Sequence, residues 1–139
     1  MKEQKLIILQ GIPASGKTTW ARQFVEESPL TRVRVNRDDI RDMLGKYWVP
    51  EREELVSEIE ESCVFEALSA GYTVVLDATN LNPKYLEGWE SIANLPNVEI
   101  EYKKFTINLE EAIERDSKRD RPVTEKVIRG FYNKYNGNI

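Results

Sequence analysis

Short apolar runs alternate along this chain with longer segments of helical spacing. Four runs have the length and composition of strands: "KLIILQ" at 5–10, "RVRVN" at 32–36, "YTVVLD" at 72–77 and "VEIEYKKFTI" at 98–107. Each is followed by a segment in which apolar residues recur every three or four positions. Strands that alternate with helices are typical of an α/β fold. We therefore predict a parallel sheet of four or five strands with helices on both faces.

The helices between these strands have recognisable ends. The first should run from Lys17 to about Glu27, because Pro29 stops it. A short helix should start at Asp38 and Asp39, since carboxylates favour a helix N-terminus, and continue to about Gly45. Three later helices are predicted in "NPKYLEGWESIAN", with Pro83 in its first turn, in "LEEAIERDSK", and in the final segment striped by Val127, Phe131 and Tyr135.

The longest predicted helix runs from about Glu51 to Ala70. Its apolar residues Leu55, Ile59, Cys63 and Ala67 are four apart, so they should share one face. Most of its acidic residues fall elsewhere. We expect the face defined by these four residues to pack on the sheet.

Length and composition indicate one domain over residues 1–139. Apolar residues make up 40% and charged residues 32% of the chain, which is ordinary for a globular protein. The lone Cys63 excludes an internal disulfide, and there is neither a signal-peptide pattern nor an apolar run of membrane-spanning length. We expect the protein to work in the cytoplasm.

Charge narrows the possible ligands. A net charge of -4 argues against a broad basic face for duplex nucleic acid. Basic residues nevertheless cluster in 32–41 and in "RDSKRDR" at 115–121, which leaves a compact anionic ligand plausible. The chain has no histidine, so histidine-based acid or base catalysis and histidine metal ligands are excluded. Proton transfer should fall to a carboxylate.

The strongest motif is "GIPASGKT" at 11–18, between the first strand and the first helix. It fits the phosphate-loop pattern G-x-x-x-x-G-K-[ST] at every fixed position. Backbone N–H groups cradle phosphates in such loops, with Lys17 reaching the β- and γ-phosphates and Thr18 binding Mg²⁺. The alternative, a flexible turn without function, fits this context poorly. We expect ATP or another nucleoside triphosphate to contact Gly11, Ser15, Gly16, Lys17, Thr18 and Thr19.

Two further carboxylate positions follow strands and should lie at the same edge of the sheet as the phosphate loop. Asp77 ends the third strand, where it can hold the metal or merely cap the turn with Thr79 and Asn80. Asp38 and Asp39 follow the second strand in "VNRDDIR". Phosphoryl transfer to a hydroxyl needs a group that accepts its proton, so one of the two can be catalytic while the other starts the helix.

Arg115 and Arg119 are four residues apart, and we expect them on one face near the end of the penultimate helix. They could converge on phosphate, although such a pair is more often a solvated surface. The following "DRPV", in which Pro122 breaks the helix, predicts a mobile lid at about 115–125. Lids exclude water and so limit wasteful hydrolysis of a triphosphate.

Together, "GIPASGKTTWAR", "NRDDIR", "DATNLNP" and "RDSKR", in this order, resemble the kinase domain of the polynucleotide 5′-hydroxyl kinases of bacteria and T-even phages. The resemblance spans nearly the whole chain. It implies that Asp38 is the general base and that Arg41 grips the phosphate beside the attacked nucleoside. It also implies two lid arginines, Arg115 and Arg119, of which Arg119 contacts the transferring phosphate, and a contact of Thr79 with the acceptor phosphate.

The chain departs from that family in two ways. Phage members have an essential Asp directly before the Thr-Asn pair, where this chain has Ala78 and places Asp77 one residue earlier. Asp77 could therefore be a metal partner or the partner of a lid arginine. The phage enzymes also carry a phosphatase domain with a D-x-D-x-T motif, which has no match here, so the resemblance implies a stand-alone kinase.

These observations predict transfer of the γ-phosphoryl group of ATP, with Mg²⁺, to the 5′-hydroxyl of a DNA or RNA end. Lys17, Asp38 and Arg119 would be catalytic. Arg41, Thr79 and Val123 would bind the acceptor, with Tyr47 and Trp48 as alternatives to Val123 for packing on the terminal base.

A kinase for a small molecule or a tRNA-linked hydroxyl is the nearest alternative. A switch or motor module that hydrolyses ATP is an alternative of another class. Asp39 is predicted as the helix-start residue, and Arg37 has no predicted role.

Overall fold

A computed structural model describes residues 3–135, and its centre is a parallel sheet. The strands are β1 (Gln4–Gln10), β2 (Arg32–Asn36), β3 (Thr73–Asp77) and β4 (Val98–Lys104). Their spatial order is β2-β3-β1-β4, and every neighbouring pair is parallel. The predicted α/β class and the parallel sheet are confirmed, with four strands in the described part of the chain. Because all strands point the same way, the segments that leave β1, β2 and β3 emerge at one edge.

Within residues 3–135, six helices accompany the sheet, close to the predicted positions. The bounds are α1 (Lys17–Glu26), α2 (Arg37–Met43), α3 (Glu53–Ser69), α4 (Pro83–Ile92), α5 (Leu109–Ser117) and α6 (Glu125–Tyr135). A single 3₁₀ turn, Pro50–Arg52, precedes α3. Asn82 caps α4 by accepting a hydrogen bond from Lys84 N, and Pro83 occupies the first turn as predicted. No helix among residues 3–135 combines the length and apolar character needed to cross a membrane.

Alternating residues of β1 pack on opposite faces of the sheet. Leu6 and Ile8 belong to the core formed with α2, α3 and α4, whereas Ile7 and Leu9 pack with Ala21 of α1. All four β1 side chains are fully buried. A strand covered on both faces reads as a continuous apolar run, which is what "LIIL" shows. Helices therefore cover both faces, as predicted.

The last two helices form a separate layer beside the phosphate loop. Ala112 of α5 and Ile128 of α6 are fully buried against each other, in a cluster that includes Ile12 and Leu81. Ile12 lies in the phosphate loop, and Leu81 lies in the loop after β3. The packing of α5 and α6 therefore fixes the segment between them relative to the phosphate loop.

The predicted packing face of α3 is only half right, because Ile59 and Ala67 pack partly buried against the core but the other two residues do not. The buried positions are Val56, Glu60, Val64 and Leu68, while Leu55 and Cys63 are exposed. The two stripes are one residue apart and equally apolar, except that the true one contains Glu60. That carboxylate is buried because Arg37 Nη1 donates a hydrogen bond to its Oε1 at 2.9 Å. Arg37, which had no predicted role, thus ties α2 to α3.

The predicted start of α2 also needs correction. The cap is Asn36, whose side chain accepts a hydrogen bond from Asp39 N at 2.8 Å. Asp39 is not the helix-start partner, because its carboxylate instead accepts a hydrogen bond from Arg34 Nη1 at 2.8 Å. Asp38 and Asp39 still lie in the first turn, where negative charge stabilises the helix dipole.

The buried Arg37–Glu60 pair yields a stability prediction. Burial raises the pKa of Glu60 against the lowering effect of Arg37. Arg37→Ala leaves this buried carboxylate without its cation, and we expect a loss of about 3 kcal/mol in unfolding free energy near neutral pH. Removing Arg37 raises the pKa of Glu60 further, so the folded state takes up a proton more readily. The loss should therefore shrink towards about pH 5.

Urea denaturation at both pH values measures this effect. Lys118→Ala is the matched control, because it breaks the exposed pair with Glu114 and should change stability far less. A loss for Arg37→Ala as small as that of the control would contradict the prediction.

Candidate active site

The phosphate loop joins β1 to α1 and is shaped by its glycines. A Cβ at Gly11 would lie 2.8 Å from Ser15 Oγ and 2.9 Å from Phe105 O, so only glycine fits there. Gly16 and Ala14 have φ angles of 101° and 66°, in the left-handed region. Turns of this kind aim successive N–H groups into one concavity, and the N-terminus of α1 adds partial positive charge. The loop is therefore suited to phosphate.

Lys17 is the first residue of α1 and folds back over the loop. Its Nζ donates hydrogen bonds to Gly11 O at 2.9 Å, Ile12 O at 2.7 Å and Ser15 Oγ at 3.2 Å. The residue is only 7% exposed. Burial lowers the pKa of Lys17 to about 8, although the charges of Asp77 and Asp38 oppose this. Its amine is therefore held at the base of the phosphate loop and is still mostly charged at neutral pH.

Asp77 ends β3 and is almost fully buried. Its Oδ2 accepts hydrogen bonds from Thr18 Oγ1 and from Arg34 Nε, both at 2.9 Å. Its backbone carbonyl accepts a hydrogen bond from Asn36 Nδ2 at 2.9 Å. One of the two roles left open for Asp77 was pairing with a lid arginine, and the structure does not show that pair. Its cation is Arg34 of β2.

The oxygens of Thr18 and Asp77 fit a hard divalent cation. A hydroxyl and a carboxylate in contact at the end of the phosphate loop are donors that Mg²⁺ prefers. Among residues 3–135 no three His, Cys, Asp or Glu side chains group together as a metal site. A Mg²⁺ ion held here would therefore take its remaining ligands from phosphate oxygens and water, as is usual for this ion.

Asp38, in the first turn of α2, has one oxygen engaged. Its Oδ1 accepts hydrogen bonds from Arg41 Nη1 at 2.7 Å and from Tyr47 OH at 2.9 Å. Its Oδ2 has no partner within the described residues. Burial, followed by the charge of Asp38, raises the pKa of Tyr47 to about 12, so this phenol stays a donor. One Asp38 oxygen is therefore held by the protein and the other can accept a proton.

Arg41 lies one turn after Asp38, and Glu53 of α3 holds its side chain. Its Nε donates to Glu53 Oε2 at 3.0 Å, and its Nη2 donates to Glu53 Oε1 at 2.5 Å. Burial would lower the pKa of Arg41, but hydrogen bonds to Glu53 and Asp38 raise it above its usual value. The hydrogen bond from Arg41 likewise lowers the pKa of Glu53. Both groups are therefore charged, and Arg41 keeps two N–H donors for a ligand.

The loop after β3 is braced by Asn80, a buried residue with a φ of 48°. Its Nδ2 donates a hydrogen bond to Leu9 O at 2.7 Å, and its backbone oxygen accepts one from Gln10 Nε2 at 3.2 Å. These bonds attach the loop to the end of β1. Thr79, directly before Asn80, is thereby held beside the phosphate loop, where its carbonyl accepts a hydrogen bond from Gly11 N at 3.1 Å.

The predicted lid is organised by one buried carboxylate. Asp116, 2% exposed, accepts hydrogen bonds from Val123 N and Thr124 N at 2.9 Å and from Arg119 Nη1 at 3.3 Å. The prediction that Arg115 and Arg119 share a helix face is wrong, because α5 ends at Ser117 and Arg119 lies in the turn beyond it. Arg115 pairs with Glu111 in α5.

A single cleft of about 970 Å³ brings most of the predicted site residues together. That volume is large enough for a nucleotide and part of a second substrate. The predicted residues that line it are Gly16, Lys17, Thr18, Thr19, Asp38, Arg41, Asp77, Thr79, Arg115, Arg119 and Val123. Gly11 and Ser15 are not among the lining residues, since Gly11 packs against Phe105 and Ser15 is buried behind Lys17. Tyr47 and Trp48, the other candidates for base packing, also line the cleft.

Sequence reasoning missed three residues around this cleft, and it also missed the contact of Tyr47 with Asp38. Arg34 and Glu53 act through contacts between different elements, and Asp116 was hidden among the charges of "RDSKRDR". The hydrogen bond of Tyr47 to Asp38 spans nine positions and has no periodic pattern. The only sequence signal for Glu53 was the acidic run at the start of α3. Such a run is equally well explained by acidic residues that stabilise the helix dipole.

A protein-family model described as "AAA domain" matches residues 6–136, nearly the whole chain. The chain belongs to the AAA domain family. The phosphate loop at 11–18 lies within the matched residues.

Relatives of this AAA domain support the predicted resemblance to polynucleotide kinases. A protein of Autographa californica nuclear polyhedrosis virus, named as a bifunctional polynucleotide kinase/RNA ligase, is 29% identical over 95% of this chain, which spans 21% of that protein. A chain of a solved Pnkp1/Rnl/Hen1 RNA repair complex is 30% identical, with a TM-score of 0.83 over 99% of this chain and 45% of that one. The resemblance and the P-loop kinase fold are thereby confirmed.

A third relative is named for a different acceptor. The L-seryl-tRNA(Sec) kinase of Methanococcus maripaludis is 27% identical over 94% of this AAA domain chain, which spans 52% of that protein. The chain therefore spans from about a fifth to about half of the length of these relatives.

The lowered pKa of Lys17 predicts how ATP affinity depends on pH. Only the charged ammonium attracts phosphate, and Lys17 loses its proton above about pH 8. The affinity of the free protein for ATP should therefore weaken roughly eightfold between about pH 7.5 and pH 9. Calorimetric titration with ATP and Mg²⁺ measures this change. Lys17→Met, which keeps the buried stem, should bind weakly at both pH values. A wild-type affinity that is constant over this range would contradict the assignment.

Proposed function

We propose that this chain transfers the γ-phosphoryl group of ATP to the 5′-hydroxyl of a DNA or RNA end. One observation carries the proposal: the phosphate loop with Lys17 and the half-engaged carboxylate of Asp38 line the same cleft. The first supplies a phosphate donor site, and the second supplies an oxygen that can take a proton from an alcohol. Relatives named for polynucleotide kinase and RNA repair support the choice of acceptor.

In the proposed reaction, the oxygen of the 5′-hydroxyl attacks the γ-phosphorus, and Asp38 Oδ2 accepts the proton of that hydroxyl. The bond between that phosphorus and the bridging oxygen of ADP breaks, and ADP leaves. Lys17 and Arg119 balance the negative charge on the phosphoryl oxygens, and Arg115 contributes from the lid. Mg²⁺ held by Thr18 and Asp77 would add Lewis-acid stabilisation of the phosphates.

Arg41 and Thr79 would bind the acceptor's first phosphate. The two N–H groups that Arg41 does not use for Glu53 or Asp38 are available for phosphate oxygens. Val123 of the lid and Trp48, which is 54% exposed, are apolar surfaces for the terminal base. Such a site reads only the end of a strand, so a chain of net charge -4 can still bind nucleic acid locally. The single-domain organisation of residues 1–139 and the cytoplasmic location stay predictions.

The second candidate is a kinase whose acceptor is a small molecule or a tRNA-linked hydroxyl. The similarity to the L-seryl-tRNA(Sec) kinase favours it, because that relative covers 94% of this chain. A seryl hydroxyl linked to tRNA, or a simple alcohol, has no phosphate directly beside it. The role of Arg41 therefore separates the two candidates.

Asp38→Asn should abolish phosphorylation while leaving ATP affinity close to that of the wild type, since the amide cannot accept the hydroxyl proton. The assay uses γ-labelled ATP with 5′-hydroxyl DNA and RNA oligonucleotides, nucleoside 3′-phosphates and simple alcohols. Asp39→Asn is the matched control, because Asp39 pairs with Arg34 outside the cleft lining, and it should retain most activity.

Label that appears only on the simple alcohols would overturn the proposed acceptor. Rapid ATP hydrolysis without any acceptor, unaffected by Asp38→Asn, would instead indicate a switch or motor module.

Arg41→Ala should raise the KM for a nucleoside 3′-phosphate at least tenfold, because a charge-assisted phosphate contact is lost. The KM for the same nucleoside without its 3′-phosphate should change much less. Steady-state kinetics with the two acceptors measures this difference. Equal changes for both would favour the second candidate, in which no acceptor phosphate is recognised.

A further inference from the structure

The Asp38–Arg41 pair is enclosed by two residues from outside α2. Glu53 opens α3 and holds Arg41 through two parallel hydrogen bonds, the strongest geometry available to a guanidinium. Tyr47 lies in the loop after α2 and donates to Asp38 Oδ1. No role in catalysis or binding follows for either residue from the phosphate-loop, "NRDDIR" or lid motifs.

Glu53 fixes the plane of the Arg41 guanidinium. Arg41 has five N–H donors, of which Nε and one on Nη2 go to Glu53 and one on Nη1 goes to Asp38. The two that remain belong to Nη1 and Nη2, at the end of the side chain. Without Glu53, the flexible Arg41 side chain could turn both terminal nitrogens towards Asp38 and occupy its second oxygen.

Tyr47 fixes the carboxylate from the other side. Its hydroxyl and Arg41 Nη1 share Oδ1 of Asp38, so rotation of the carboxylate would break two hydrogen bonds. The Tyr47 ring is itself held, because the Arg121 guanidinium lies 4.6 Å from its centroid. Arg121 also pairs with Asp42 of α2 at 2.9 Å. The phenol of Tyr47 is thus held between α2 and the predicted lid segment at 115–125.

We propose that Glu53 and Tyr47 are positioning residues that hold the Arg41–Asp38 pair so that Asp38 Oδ2 and two Arg41 N–H groups face the acceptor. The inference rests on the proposed function, since it assumes a hydroxyl beside a phosphate. Glu53 acts through Arg41 and so on acceptor binding. Tyr47 acts through Asp38 and so on turnover.

A double-mutant cycle tests the role of Glu53. Glu53→Gln should lower kcat/KM for a nucleoside 3′-phosphate about 10- to 100-fold, chiefly through KM, with the KM for ATP within about twofold of the wild type. In an Arg41→Ala background, Glu53→Gln should cause no further loss beyond about twofold. Glu54→Gln, one residue along and exposed, is the matched control and should behave like the wild type.

Tyr47→Phe tests the other half, because it removes only the hydroxyl and keeps the ring beneath Arg121. It should lower kcat about tenfold with little change in acceptor KM, and it should have no effect on the residual activity of Asp38→Asn. Thermal denaturation of every variant separates these effects from loss of the fold. If saturating ATP restores the melting temperature of a variant but not its kinetics, the kinetic loss does not come from unfolding. That result would support positioning.

Equal losses from Glu53→Gln with and without Arg41 would overturn the inference, because Glu53 would then act only by joining α2 to α3. Wild-type kinetics in both Glu53→Gln and Tyr47→Phe would overturn it as well. Failure of the proposed function looks different: the wild type would label none of the 5′-hydroxyl acceptors. In that case the same double-mutant cycle is measured by calorimetric binding of a nucleoside 3′-phosphate, which needs no turnover. If the effects of Glu53→Gln and Arg41→Ala on this binding are not coupled, the positioning role is rejected too.

Discussion

The buried carboxylate of Asp77 is the interaction on which the arrangement of the cleft depends. Its Oδ2 joins Thr18 at the phosphate loop to Arg34 of β2, and its backbone carbonyl holds the side chain of Asn36. Asn36 in turn caps α2, the helix that carries Asp38. Three strands end at the same edge because the sheet is parallel, and this one residue links the ends of all three. A shift at Asp77 would therefore move the phosphate loop relative to α2.

Every arginine proposed to meet phosphate already has a protein carboxylate as partner. Arg41 pairs with Glu53 and Asp38, and Arg119 pairs with Asp116. These pairs offset the cost of burying guanidinium groups in the cleft. They also restrain the side chains, so less conformational entropy is lost when an anion binds. A net acidic protein can thus keep a preorganised basic site, because its positive charge is concentrated at a few held positions.

Sequence reasoning found those parts of the site that local patterns encode. The phosphate loop is a contiguous motif, and Asp38 follows a strand whose end had to lie at the sheet edge. Glu53 and Arg34 could not be found this way, since their partners come from other elements and no spacing records the contact. The buried centre of the packing face of α3 was missed for a related reason. A charged residue at 60 argued against the true stripe, and only the position of Arg37 makes burial of that carboxylate possible.

The departure at Ala78 becomes understandable from this network. Polynucleotide kinases of the phage type, which the chain resembles, have an acidic residue there, and position 78 lines the cleft between the phosphate loop and α2. In this chain the carboxylates that face the site's arginines come from other places: Glu53 from α3, Asp116 from α5 and Asp77 from the end of β3. A further carboxylate at 78 would compete with phosphate for the same guanidinium groups. Of these partners, Asp77 and Asp116 lie within the sequence motifs, whereas Glu53 comes from a helix that the motifs do not include.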